Sequence, residues 1–203
     1  MDLKGYRNIL VAVDMILIMI SSIPALSLNV PFPSRDEAFS ELWILGPKHM
    51  ASDYPFNVTS GTEYMVYVGM RNNMKSAAYY AVYIKFANES EPLPNATSGT
   101  PSPLPPLQEC IVFLHDGGSW ESLITFSFKG VAIVDNNSLV KTITVNGTAF
   151  EVNKSTEWNQ QHSGFYFQLF VELWIFNVQN RNFAFHKRFV SRWLNITASQ
   201  LNI

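Results

Sequence analysis

Hydrophobic and polar residues alternate along most of the chain after residue 37. This period of two is typical of β-strands that bury one face and expose the other. It is clearest in the runs 64–70 and 80–86, and in a longer run, 165–177, where the odd positions up to Ile175 are all apolar. No helical periodicity interrupts these runs, so the pattern predicts an all-β fold with about eight to ten strands.

Glycine, proline and asparagine mark the turns between the runs. Gly46-Pro47 ends the first strand, 40–45, because proline cannot donate a hydrogen bond to a strand ladder. Asn146-Gly147 suits a type I′ hairpin turn, since both residues readily adopt positive φ. Short strands separated by such turns predict an antiparallel β-sandwich, which we expect to be Ig-like in architecture although it lacks a pair of cysteines.

The loop 72–78 is short enough to join its two flanking strands as a hairpin. A hairpin centred there places Tyr67 opposite Tyr83, with Tyr79 on the same outer face. Tyrosine rings on a sheet face suit contact with a protein partner or stacking on sugar rings. The three tyrosines are therefore candidate interaction residues, unless segment 91–107 or the C-terminal part of the chain covers them.

Three further features complete the strand pattern. Segment 91–107 has six prolines and no apolar periodicity, which predicts a solvated, partly polyproline-like loop. The run 165–177 would extend about 43 Å at ~3.3 Å per residue, so we expect a bulge or bend within it. The last strand is predicted at 183–197, with a partly helical segment as the alternative. The expected core positions are Tyr64, Val66, Val68, Tyr80, Val82, Ile84, Leu169, Val171 and Leu173.

An apolar segment, 9–28, follows the basic residues Lys4 and Arg7. Its roughly 20 residues are enough to span a bilayer, and basic residues ahead of it favour a cytoplasmic N-terminus. A cleaved signal peptide is the alternative, but its cleavage motif at 24–27 is poor. We expect a cytoplasmic tail (1–8), a transmembrane signal anchor (9–28), a linker (29–38) and one extracellular domain (39–203).

Asp14 is the one charged residue within the apolar segment. An ionised carboxylate at mid-bilayer costs at least about 2.5–3.5 kcal/mol. Two interpretations remain open: Asp14 lies near the cytoplasmic interface beside Arg7, or it makes a polar contact with another membrane subunit.

Seven Asn-X-Ser/Thr sequons follow the apolar segment, about threefold more than the composition predicts. They indicate an exported, N-glycosylated domain and agree with a single-pass protein of the cell membrane. The acceptor asparagines are Asn57, Asn88, Asn95, Asn136, Asn146, Asn153 and Asn195.

Charge and cysteine content exclude some function classes. The net charge is −2 and no polybasic run is present, which argues against a nucleic-acid partner. Cys110 is the sole cysteine, so the domain has no disulfide of its own. Its apolar neighbours predict an inert thiol rather than a reactive one.

The stretch 39–86 resembles archaeal membrane-associated proteins that carry the domain of unknown function numbered 1616. The resemblance implies a surface location and an exported C-terminal domain, and it implies no activity. It also makes the sequons more credible, since archaea glycosylate exported proteins. The chain departs from the family in having one predicted span and a longer proline-rich segment. The matching residues are Glu41, Ile44, Leu45, Gly46, Pro47, Ala51, Tyr54, Pro55, Gly61, Val66, Val68, Gly69, Asn72, Tyr80 and Val82, with Trp43 and Met70 as substitutions.

No spacing typical of a catalytic or metal site is found, and we expect neither enzyme activity nor a cofactor. The fragment His115-Asp116 precedes two glycines and fits a strand-end turn. Glu172 is expected to be exposed or paired with Arg188 or Arg192, with a lone buried acid as the alternative. Two functions remain open: a membrane-anchored interaction or structural module that binds a protein partner in the envelope, and a carbohydrate-binding or glycan-assembly accessory protein.

Overall fold

The computed structural model describes residues 13–15 and 37–197. The chain divides into two compact units, Met1–Glu37 and Ala38–Ile203. In the first unit the residues around Asp14 are helical and exposed. The predicted tail, most of the predicted anchor and most of the linker lie outside the described residues. Within the described ranges, no helix is both long and apolar enough to cross a membrane.

The second unit consists of two five-stranded sheets, which confirms the prediction of an all-β fold. The front sheet has the order β1-β3-β6-β7-β8, and the back sheet has the order β2-β10-β9-β4-β5. All pairings are antiparallel except that of β2 with β10. The strands are β1 Phe39–Leu45, β2 Asn57–Thr59, β3 Glu63–Asn73, β4 Ala78–Asn88, β5 Gln108–Leu114, β6 Ser119–Val134, β7 Asn137–Val145, β8 Thr148–Glu157, β9 Tyr166–Asn177 and β10 Asn182–Thr197.

One apolar core lies between the inner faces of the two sheets. Eight of the nine predicted core residues are buried, and the ninth, Tyr64, is half-buried and packs against them. Phe86 of the back sheet meets Phe128 of the front sheet with ring centroids 5.4 Å apart. The period of two therefore predicts the inward faces of β3, β4 and β9 correctly.

The predicted hairpin between the second and third long strands is wrong. β3 pairs with β1 and β6, whereas β4 pairs with β5 and β9 in the other sheet. The connection between them is turned by Asn72, whose side chain accepts from Met74 N at 2.9 Å and donates to Ser76 O at 2.8 Å. Alternation fixes which face of a strand is apolar, and here the two apolar faces meet across the core instead of lying side by side.

The turns and irregularities follow the backbone preferences of asparagine and glycine. Asn146 and Gly147 both have positive φ, 46° and 80°, and join β7 to β8 as predicted. The irregularity expected in β9 falls instead on its partner β10, where the register shifts between Phe185 and Arg188. β10 is a strand throughout, so the helical alternative for its residues is excluded.

Candidate functional site

The outer face of the back sheet carries a surface of aromatic and aliphatic side chains near the start of β4. Odd-numbered residues of β4 and even-numbered residues of β9 point away from the core, because their neighbours in sequence fill it. Tyr79, Ile111 and Phe113 are 50–54% exposed. The aromatic surface is defined here as Tyr79, Tyr83, Ile111, Phe113, Trp174 and Phe185.

The rings of the aromatic surface form two contact groups, one between β4 and β5 and the other across β4, β9 and β10. Centroids lie 4.7 Å apart for Tyr79 and Phe113, and 5.4 Å apart for Tyr83 and Trp174. Trp174 continues the series to Phe185 at 6.0 Å. Because the rings hold one another in place, a partner would meet a preorganised surface and lose little side-chain entropy on binding.

Beside this surface lies a buried ion pair between two neighbouring strands. Lys85 Nζ of β4 is 2.9 Å from Glu172 Oε2 of β9, and both side chains are almost completely buried. Glu172 also accepts from the backbone N–H of Ser102 at 2.7 Å and from Trp174 Nε1 at 2.9 Å. Lys85 donates to Ser102 O at 2.9 Å. Glu172 is therefore a paired buried acid, and the expectation of exposure or pairing with Arg188 or Arg192 is wrong.

The proline-rich segment 91–107 crosses the outer face of the back sheet above this pair. Ser102 is buried, and the N–H of Leu107 donates to Ile84 O at 2.8 Å. At its start, Glu91 forms an ion pair with Lys154 of β8. Most of the segment is exposed or partly exposed, in agreement with the predicted solvated loop, but Pro94 and Ser102 are buried, and the backbone of Ser102 provides hydrogen-bond partners for two buried charges.

Tyr83 lies opposite Glu172 in the sheet, and its ring contacts Trp174 of the aromatic surface. Burial, followed by the nearby carboxylates of Glu109 and Glu172, raises the pKa of the Tyr83 hydroxyl. The hydroxyl therefore stays protonated and uncharged near neutral pH. This arrangement favours a role in contact over a role in proton transfer, since a general acid or base works best with a pKa near the working pH.

The structure separates the three candidate tyrosines. Tyr79 and Tyr83 lie on the aromatic surface, but Tyr67 belongs to β3 in the front sheet. Its ring stacks on His49 with centroids 3.5 Å apart, and His49 Nδ1 is 3.0 Å from Glu121 Oε1. The expected grouping of Tyr67 with Tyr79 and Tyr83 is wrong, because it depended on the hairpin that does not form.

A buried hydrogen-bonded chain connects four strands in the core. His186 Nε2 lies 3.1 Å from Ser40 Oγ, which lies 2.8 Å from Tyr80 Oη. Tyr80 in turn donates to Asn72 Oδ1 at 2.9 Å. Burial, followed by the charge of Arg188, lowers the pKa of His186. Ser40 and His186 are within hydrogen-bond distance, but Ser40 is buried and is not an accessible nucleophile. The hydrogen bonds between these four side chains therefore satisfy polar groups in the core.

The remaining candidates for chemistry have structural roles. Burial raises the pKa of Cys110, which keeps the thiol protonated. Asp116 accepts from the N–H of Lys75 at 2.8 Å and so ties two connecting loops together. No group of three or more metal-ligating side chains occurs in the part of the chain that the structure describes.

All seven sequon asparagines lie at the molecular surface, with Asn88 and Asn195 only partly exposed. Asn136, Asn146 and Asn153 have positive φ, which asparagine tolerates better than most residues. Those three positions thus have a backbone reason for asparagine that does not depend on glycosylation. Asn195 Nδ2 donates to Asn57 Oδ1 at 3.0 Å, so these two predicted glycosylation sites are neighbours.

The aromatic surface was only partly visible in the sequence. Its tyrosines were identified, whereas Ile111, Phe113 and Phe185 were not, because the partner strands were unknown. The even positions of the run 165–177 mix Glu172 with aromatic residues, and this was the available signal that the outer face of β9 is covered or functional.

Comparison with known proteins places the chain in a family. The sequence model described as Domain of unknown function (DUF1616) matches residues 33–163. The chain belongs to this family. None of the curated proteins compared with it matches.

Two solved structures match the chain at low similarity. One is a complex of zinc 2-glycoprotein and prolactin inducible protein from human seminal plasma, with 9% identity and a TM-score of 0.38, covering 81% of this chain and 99% of the other. The second is a β-glucosidase from Listeria innocua in complex with gluconolactone. It has 9% identity and a TM-score of 0.34, and the match covers 78% of this chain and 16% of the enzyme.

Proposed function

We propose that this family member is a non-enzymatic interaction module of the cell surface, which binds a protein partner through the aromatic surface. The observation that carries the proposal is the presence of two groups of contacting rings, together with the exposed Ile111, on the same outer face of four neighbouring strands. Aromatic residues are enriched where proteins contact one another, and a continuous exposed patch marks such a site.

The edge of the back sheet supports the same function. β5 pairs only with β4, so its other side has unpaired backbone groups. Ile111 and Phe113 project from this edge strand. A partner could therefore combine apolar contact with backbone hydrogen bonding along β5, as in other cases of strand addition.

The proposed setting is an archaeal cell membrane. Residues 9–28 act as a single transmembrane anchor, and the Ig-like domain that follows lies outside and is N-glycosylated at the sequons. The order of basic residues, apolar segment and sequons supports this topology. Protease added to intact cells should remove the domain, and mass spectrometry of the native protein should find glycans at Asn95 and Asn146; protection from protease before lysis would contradict the topology.

The proposed contact is tested by replacing Tyr79 and Phe113 together with alanine in the full chain. Partners are first identified by cross-linking in native membranes, and each purified partner is then titrated against wild type and variant. We expect affinity to fall at least tenfold, because truncating a central interface residue commonly costs about 2 kcal/mol or more. A matched control replaces Leu123 and Ile133, which are similarly exposed apolar residues of the front sheet. Equal affinities of the Tyr79/Phe113 variant and wild type for every partner would refute the proposal.

The alternative, carbohydrate binding, has its support at the opposite end of the same sheet. There, aromatic side chains line a pocket instead of a flat surface.

A further inference from the structure

A pocket of ≈ 480 Å³ lies on the outer side of the back sheet, where β4 ends and β9 begins. Its volume falls within the range of small-molecule sites, about 300–1,000 Å³. The lining residues are Phe56, Glu89, His162, Tyr166 and Trp193. They come from four separate parts of the chain, so only the folded domain brings them together.

Tyr166 forms the fixed base of this pocket. Its ring is nearly buried, and its hydroxyl donates to His162 O at 2.5 Å. Phe56 lies 6.0 Å from the Tyr166 ring centroid at 41°, and Trp193 lies 6.2 Å away at 88°. Phe56 and Trp193 are 45% and 43% exposed, so these two rings offer their surfaces to a ligand.

Polar groups stand at the rim in a fixed orientation. Glu89 Oε1 accepts from Asn159 Nδ2 at 2.6 Å, and Asn159 Oδ1 accepts from the N–H of His162 at 3.0 Å. Two backbone hydrogen bonds between Asn159 and Gly164 also hold the ends of this loop together. A carboxylate held by one oxygen in this way can use its other oxygen to accept hydrogen bonds from a ligand.

We propose that this pocket binds a sugar ring, with one face of the sugar stacked on Trp193 and its hydroxyl groups donating to Glu89. Sugars combine apolar C–H faces with polar edges, which matches two exposed rings beside a carboxylate. A quaternary ammonium ion fits less well. It would require several ring faces around it, and the Tyr166 ring is already occupied by its neighbours.

The sugar has two potential sources. Asn195, on the same strand as Trp193, and its hydrogen-bonded neighbour Asn57 are both sequon asparagines. A glycan on Asn57 would begin one residue from Phe56, so the pocket could hold the chain's own glycan. The other source is a glycan of the surrounding envelope.

The test measures binding of methyl glycosides of glucose, mannose and galactose to the full chain made in a host without N-glycosylation. Saturation-transfer NMR detects contact, and titration of tryptophan fluorescence gives the affinity. We expect binding of at least one glycoside, a loss of at least about tenfold in Trp193→Ala, and recovery in Trp193→Phe. Glu89→Gln should also weaken binding, and because Glu89 is exposed this variant tests the site even if Trp193→Ala fails to fold.

Phe113→Ala serves as the control, since it lies on the aromatic surface and should leave sugar binding unchanged. Repeating the titration with the natively glycosylated chain and with its Asn57→Gln variant separates the two sources. Weaker binding in the native chain that is restored by Asn57→Gln assigns the chain's own glycan, and unchanged binding assigns an external one. The proposal is overturned if no glycoside binds, if Trp193→Ala binds as wild type does, or if tetramethylammonium binds in place of the sugars. None of these results bears on the protein partner of the aromatic surface.

Discussion

Glu172→Gln is expected to be among the most destabilising single substitutions outside the apolar core. Glutamine keeps an oxygen that can accept from the Ser102 N–H, but it removes the charge opposite Lys85. The ammonium of Lys85 then remains buried with Ser102 O as its partner. Removing one member of a buried ion pair costs about 3–5 kcal/mol, because the other charge is left without compensation.

Urea unfolding followed by tryptophan fluorescence measures this effect. With a denaturant slope of about 2 kcal/mol per molar, the midpoint should fall by about 1.5–2.5 M. The double variant Lys85→Met/Glu172→Gln should recover most of the loss, because it leaves no unpaired charge. Cleavage of segment 91–107 by added protease should increase in the single variant, since its anchor at Ser102 is weakened.

Asp53→Asn provides the matched control. Asp53 pairs with Lys48 at 3.2 Å, but both side chains are more than half exposed, so the loss should stay below about 1 kcal/mol. If Glu172→Gln destabilises the domain no more than Asp53→Asn does, the buried pair does not hold the segment and the reasoning is wrong.

Three further substitutions test the core. Because burial lowers the pKa of His186 from its ordinary value of 6.5, the unfolded chain binds more protons below that pH. Stability should therefore fall as the pH drops from 6.5 towards the lowered pKa, and His186→Gln should flatten this part of a pH series of urea midpoints. Leu173→Ala should cost about 2–5 kcal/mol, because the side chain is fully buried, and a loss below 1 kcal/mol would contradict its core position. Gly69→Ala places a Cβ 2.3 Å from the Trp43 ring and should cost about 1–3 kcal/mol, part of which Trp43→Ala should recover; full stability of Gly69→Ala would contradict this close packing.

Much of the candidate site depends on contacts between different strands. The alternation of apolar and polar residues along one strand does not predict such contacts. Tyr79 and Tyr83 were correctly placed on an outer face, since that follows from their position relative to Tyr80 and Val82. The pairing of β4 with β5 and β9, which adds Phe113 and Trp174 to the same surface, was not predictable in this way. The predicted grouping of Tyr67 with them is wrong for the same reason, because a short loop does not determine which strand pairs with β3.

The sequence by itself determined the features that depend on near neighbours. The alternation of side chains set the strands and their inner faces, and Asn146-Gly147 set a tight turn because both residues tolerate positive φ. Tertiary structure decided which strands pair, how segment 91–107 lies on the sheet, and that Glu172 meets Lys85. These outcomes join residues far apart in the chain, and the cost of burying a charge can be met only by groups that folding brings to it.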